Sequence, residues 1–245
     1  MPLSARIENV PEFALRAAHA YALLARGANS EAGLGGSFFY AGQLDDAGRA
    51  LVVAANIAGA ATLAASADRT AQKQAIRDGI ADFLVTSLDE ALRILKNQLR
   101  KCETVAVCVA MEPAAMECEM RERGVLPHLL RSDLPVAADS ADAPALVAWR
   151  ADSGRHKDLA LLDEVALACL SADQWAARRW LRLAPRYFGR LAMGRHLFLA
   201  DHAFARRFAE ECKSRVRRGE IAFPCELSVF THGKEEQYRL TPEPS

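Results

Sequence analysis

Two glycine clusters are the residues best able to cradle a phosphate. A dinucleotide fingerprint works when its glycines follow a strand and open a helix, so that free helix amides meet the pyrophosphate. Gly33, Gly35 and Gly36 stand before an apolar aromatic run, Ser37 to Ala41, which has the character of a strand. They therefore read as a flexible approach to it. The second cluster runs Gly42-Gln43-Leu44-Asp45-Asp46-Ala47-Gly48, between that strand and an alanine-rich helical stretch. Its place suits a phosphate loop, so Gly42, Asp45, Asp46 and Gly48 are candidate cofactor-binding positions. Asp45 and Asp46 argue against that use. Carboxylates at a helix start cap it and suit its dipole, but they compete with and repel an anion.

The six histidines, His19, His128, His156, His196, His202 and His232, have neither metal-site nor triad spacing. His196 and His202 bracket the end of an expected strand and the start of a helix, the edge where α/β sheets bind ligands. A surface or helix-start role remains the simpler reading. Glu112, Glu117 and Glu119 share one short helix and read as a solvated face. Trp175, Trp180 and Leu181 read as helix packing or a partner surface. The cysteines, Cys102, Cys108, Cys118, Cys169, Cys212 and Cys225, form no CxxC pair. A chain of this length does not need disulfide staples, so they are expected reduced, in a cytoplasmic protein. No catalytic residue and no metal ligand set can be named.

Positioning such residues takes a real core, and the composition supplies one: 51% hydrophobic and 25% charged residues over 245 positions. Lys+Arg and Asp+Glu balance at 31 each. That argues against nucleic acid, whose binding needs excess positive charge. The basic stretch Arg215 to Arg218 lies on an amphipathic helix and reads as a solvated face. No apolar run reaches the roughly 20 residues of a membrane span, and the first residues lack the order of a signal peptide.

The pattern predicts a helix at 10–26, the strand Ser37 to Ala41, a helix at Ala47 to Ala58 and a weak strand at Ala60 to Ala65. Helices follow at 69–79 and 87–100, the second with a capping-box start, Ser87 then Glu90. Thr104 to Ala110 is the clearest strand, apolar throughout as in a parallel strand covered on both faces. A helix at 112–122 ends near Gly124, and Pro127 to Arg131 forms a short strand. This alternation implies a parallel sheet with crossover helices. The pattern lapses over 132–158, expected as a long loop. Helices at 159–170, 172–183 and 202–218 and strands at His196 to Leu199 and Cys225 to Phe230 complete a single domain over 1–231, followed by a tail, 232–245.

Four stretches carry a family resemblance: GRALVVAANIAGAATL (48–63), IADFLVTSLDEALRIL (80–95), MEPAAMECEMRERGVLPHLL (111–130) and RRFAEECKSRVRRGEIAFPCEL (206–227). In order and character they resemble the middle, Rossmann-like domain of urocanase (urocanate hydratase). The resemblance implies an α/β fold with helices on both faces of a parallel sheet. It also implies, for full-length members, tightly bound NAD acting as an electrophile in a hydro-lyase of histidine degradation. Family members are longer, and their other regions complete the active site and the dimer, so a homodimer is compatible.

The family's functional motifs are replaced here. Its glycine loop falls on Leu44 to Ala50, where Gly48 alone clearly survives; Asp45, Asp46 and Arg49 stand at glycine positions. The acidic residue for the ribose hydroxyls falls near Ser66, with Asp68 close by. The Asn-Ala-Ala turn becomes Glu112-Pro113-Ala114-Ala115, and the Asp-Gln-Thr-Ser loop becomes Arg131-Ser132-Asp133-Leu134. The cysteine near the nicotinamide falls at Phe198. The expectation is a kept scaffold with a rebuilt site. Such a chain binds a small ligand or a protein partner and has no hydratase activity alone, and NAD binds weakly or not at all. The alternative is an NAD-dependent urocanate hydratase-type enzyme or subunit.

Overall fold

A computed structural model describes residues 12–134, 145–153, 155–188, 194–199, 202–231 and 234–242. Contacts divide the chain into two compact units: Arg16–Val136, and Met1–Leu15 together with Ala137–Ser245. The boundary falls inside the first helix, α1 (Glu12–Ala25). The sequence reading placed 1–231 in one domain.

Unit Arg16–Val136 is built on a five-stranded parallel sheet. Its elements are β1 (Phe38–Gln43), α2 (Asp46–Ala58), β2 (Ala61–Ala65), α3 (Arg69–Arg77), β3 (Phe83–Val85), α4 (Leu88–Lys101), β4 (Val105–Val109), α5 (Pro113–Glu122) and β5 (Leu129–Leu130). The strand order is β3-β4-β2-β1-β5. β4 is an interior strand, and all five of its residues are buried. Period-2 alternation turns Val105, Val107 and Val109 to one face, where they pack with Leu88, Ala91 and Leu95 of α4 and Met116 and Met120 of α5. α2 packs against β1 and β2 from the other face. The fold is thus α/β and Rossmann-like, as the alternating pattern required.

The order of the strands also creates a reversal point in the sheet. From β1 through β2 to β3 the chain moves one way across the sheet; from β3 through β4 to β5 it moves back. Right-handed crossovers then put α2 and α3 on one face and α4 and α5 on the other. The direction reverses between the carboxyl ends of β2 and β4, and open α/β sheets bind ligands at such a reversal.

The second unit holds a four-stranded antiparallel sheet in the order β7-β6-β8-β9. Its elements are β6 (Ala145–Ala151), α6 (His156–Cys169), α7 (Trp175–Phe188), β7 (Gly194–Leu199), α8 (His202–Arg217), β8 (Cys225–Thr231) and β9 (Lys234–Leu240). Trp149 of β6 is 2% exposed, stacks edge-on against Phe208 of α8 and donates to Asp163 of α6 at 3.1 Å. Three expectations are corrected here. The stretch 132–158 contains a strand and the start of a helix. The tail 232–245 contains β9. The strands at His196 and Cys225 each pair antiparallel with β6, so His196 and His202 do not border the carboxyl end of a parallel sheet. The side chains of 194–199 and His202 lie outside the described residues.

Candidate functional site

The candidate positions gather at the carboxyl ends of β1 and β2. The register of β1 against β2 shifts between Tyr40 and Gly42, and Gly42 adopts φ +71°, a region that favours glycine. Gly42 therefore lies in a bulge inside β1, not in the loop beyond it. Leu44, buried, donates its N–H to the Ala65 carbonyl at 3.0 Å and ties the loop to β2.

Asp45 is the N-cap of α2. Its backbone is extended (φ −79°, ψ −176°), and its Oδ1 accepts from the Gly48 N–H at 2.6 Å. Asp46 is exposed in the first turn, where its charge suits the helix dipole. Gly48 has a different task. A Cβ there would stand 1.9 Å from the Gln43 carbonyl oxygen, so only glycine lets α2 approach the end of β1 this closely. This is the close strand–helix approach that the last glycine of a dinucleotide loop provides.

Arg131 comes from the 3-10 turn Arg131–Asp133 that follows β5, the neighbour of β1. Its guanidinium donates to both oxygens of Asp45, at 3.2 and 3.4 Å, and to the Gln43 carbonyl at 3.3 Å. The α2 N-terminus thus already carries a carboxylate, held from one side by a helix amide and from the other by an arginine. Arg49 pairs with Asp78, the C-cap of α3, and so turns away from the loop.

Ser66 ends β2 at the reversal point and is buried. Its N–H donates to the Val109 carbonyl, its Oγ accepts from the Asp68 N–H at 3.2 Å, and its carbonyl accepts from Gln72 Nε2 at 2.6 Å. Asp68 caps α3 through the Thr70 N–H at 2.7 Å. Across the reversal, α5 begins at Pro113 behind Glu112, whose side chain makes no capping bond. Beneath this start lies the Tyr40 phenol, whose oxygen donates to the Pro113 carbonyl at 3.5 Å. Burial first, then the charge and hydrogen bond of Glu117, push its pKa far above the ordinary tyrosine value. The Tyr40 hydroxyl therefore acts as a donor at this end of the sheet.

These residues do not fit NAD. The pyrophosphate of a dinucleotide and the Asp45 carboxylate would compete for the same helix amide, and the carboxylate is already bonded to it. Asp68, the carboxylate that follows Ser66, is committed to capping α3. Among the described residues no group of His, Cys, Asp and Glu could hold a metal ion.

The structure brings Gly42, Asp45, Asp46 and Gly48 together at one junction and sets Ser66 at the end of the adjacent strand. The pairing of Asp45 with Arg131 was not foreseen. A signal existed: a new carboxylate and a new cation both stand where the resemblance marks replaced loops. The Phe198 side chain, at the expected cysteine position, lies outside the described residues. A family model described as the urocanase Rossmann-like domain matches residues 20–151, which include the whole parallel sheet. The stretch 206–227 lies beyond the matched segment.

Proposed function

The chain belongs to the urocanase family, matched over its Rossmann-like domain, and from that premise we propose that it is a binding module without hydratase activity of its own. Its ligand is a small molecule or a protein partner. The observation that supports this reading most is the Asp45 carboxylate seated on the α2 amide and paired with Arg131. An anion arriving there must displace both bonds and face a second carboxylate, Asp46. At an effective dielectric of about 20, one nearby carboxylate costs a phosphate on the order of a few kcal/mol, or roughly two orders of magnitude in affinity. The reading includes a reducing, cytoplasmic setting, in keeping with free thiols at all six cysteines, and no nucleic-acid or membrane partner. No helix among the described residues is long and apolar enough to cross a membrane.

Calorimetry with NAD tests it directly. The native chain is expected to give no saturable heat at micromolar NAD, and an Asp45→Gly, Asp46→Gly variant is expected to gain binding. Tight binding by the native chain would refute the reading. The purified protein with added NAD should also leave urocanate absorbance unchanged. A second reading, a subunit of an NAD-dependent urocanate hydratase completed by another chain, draws on the retained close approach at Gly48. It requires NAD binding by the native chain, so the same titration separates the two.

A further inference from the structure

At the opposite end of β1 from the Asp45 junction lies a half-open cavity of about 350 Å³. Its wall is Phe38, Leu92, Leu95, Leu99, Val125 and Leu126. Leu92, Leu95 and Leu99 recur at helical spacing, so α4 presents one apolar stripe to it. Leu126 also lines it and is 82% exposed, a large apolar side chain left in water. The volume falls within the range of sites for single small ligands.

Two polar groups break this apolar wall. Lys96 lies one residue after Leu95 and three before Leu99, on the same stripe; it makes no close ion pair among the described residues and acts on Asp89 only through its charge. The neighbouring cation Arg123 is already committed, to Asp89 and to Glu119. His128 is the second group. Its Nδ1 accepts from the Phe38 N–H at 2.8 Å, so in that bond Nδ1 is unprotonated and the ring proton sits on Nε2. That Nε2–H has no protein acceptor among the described residues. The cavity therefore offers an apolar wall, the Lys96 ammonium and one unused donor, beside the ion pairs of Arg123 with Asp89 and Glu119.

We propose that this cavity binds a medium-chain aliphatic carboxylate. The chain lies on the leucine stripe and Phe38, and the carboxylate accepts from Lys96 Nζ and His128 Nε2. The site is separate from the β1–α2 junction and stands whether or not NAD binds there.

The test is a titration of the full chain with sodium octanoate, followed by calorimetry and by leucine and valine methyl resonances. 1-Octanol and hexanoate serve as comparison ligands. Octanoate should saturate and move the methyls of Leu92, Leu95, Leu99 and Val125. Each methylene buried contributes about fourfold in affinity, so hexanoate, two methylenes shorter, should bind roughly fifteenfold more weakly. Octanol should bind more weakly than octanoate by up to about fivefold. Lys96→Ala should erase that difference. His128→Asn keeps an acceptor for the Phe38 N–H and removes the Nε2–H; it should weaken octanoate while leaving thermal stability and octanol binding in place. The proposal falls if octanoate does not saturate at millimolar concentration, or if the shifted methyls lie elsewhere. It also falls if octanol binds as tightly as octanoate, or if neither variant changes octanoate binding.

Discussion

Asp45 performs two separable tasks at one atom pair, and substitution can divide them. Asparagine keeps an oxygen for the Gly48 N–H but gives up the charge that faces Arg131; alanine loses both. An exposed ion pair contributes about 0–1 kcal/mol, whereas loss of an N-cap costs about 0.5–2 kcal/mol. Asp45→Asn should therefore change stability little and Asp45→Ala clearly more, as read by urea denaturation. Equal losses would mean that the ion pair, not the cap, holds the loop. Asp158 gives a pH-dependent counterpart. Its side chain is 7% exposed. Burial alone would raise its pKa, but the bonds from Ser153 and Arg155 outweigh burial and hold it below the ordinary aspartate value of 3.8. A depressed folded-state pKa contributes stability that is present above the unfolded value and lost as pH falls through the folded one. Asp158→Asn should therefore flatten the fall in melting temperature below about pH 4. A profile parallel to the native one would show that the pair contributes nothing.

The junction of β1 and α2 shows how an element is set by one missing atom. Replacing a helical glycine with alanine ordinarily gains up to about 1 kcal/mol. At Gly48 the added Cβ would sit 1.9 Å from a backbone carbonyl, which cannot move without breaking β1. Overpacking of this kind costs about 1–3 kcal/mol or more, so the clash outweighs the propensity. Gly48→Ala should lower the melting temperature, while Gly27→Ala, with nothing within 4 Å of its Cβ, should not. A neutral Gly48→Ala would mean that α2 can shift off the strand. At this scale much was legible beforehand. β4 is interior and buried because an unbroken apolar run suits a strand covered on both faces. α4 starts at the foreseen cap: Ser87 Oγ accepts from Glu90 N–H at 3.3 Å. Glu90 closes the box more widely than expected, reaching back to the Thr86 N–H at 2.9 Å as well as to the Ser87 backbone. β6 and β9 were not legible. ALVAWRA sits in an Ala-, Asp- and Pro-rich neighbourhood that masks a short strand. KEEQYRL carries little apolar signal because it is an edge strand, and charge on an edge resists stray pairing.

Over the whole molecule, the thiols report both units at once. Cys108 in the parallel sheet and Cys212 and Cys225 in the second unit are buried; Cys102 and Cys118 are exposed. Burial pushes Cys108 and Cys225 up to about 11 and raises Cys212 further still. The hydrogen bond and charge of Glu122 raise Cys118 as well. Iodoacetamide at neutral pH should therefore modify Cys102 first and Cys118 more slowly, and leave the three buried thiols intact until denaturant is added. Peptide mapping checks this. Early labelling of Cys108 would place β4 at a surface, and early labelling of Cys212 and Cys225 would do the same for the second unit's core.

The sequence by itself determined the features that depend on near neighbours. Helix and strand periods, the Ser87 cap and the alternation that demands a parallel sheet all act over a few residues, so they can be read along the chain. The tertiary structure alone decided what distant segments do to one another. Asp45 and Arg131 are 86 positions apart and meet because β1 and β5 are neighbours in the sheet. His128 acquires a fixed tautomer only because Phe38, 90 positions away, donates to it. Strands β6 to β9 join in an antiparallel sheet of their own. Pairing partners are chosen by burial and register across the fold, and neither quantity is written in any single stretch of residues.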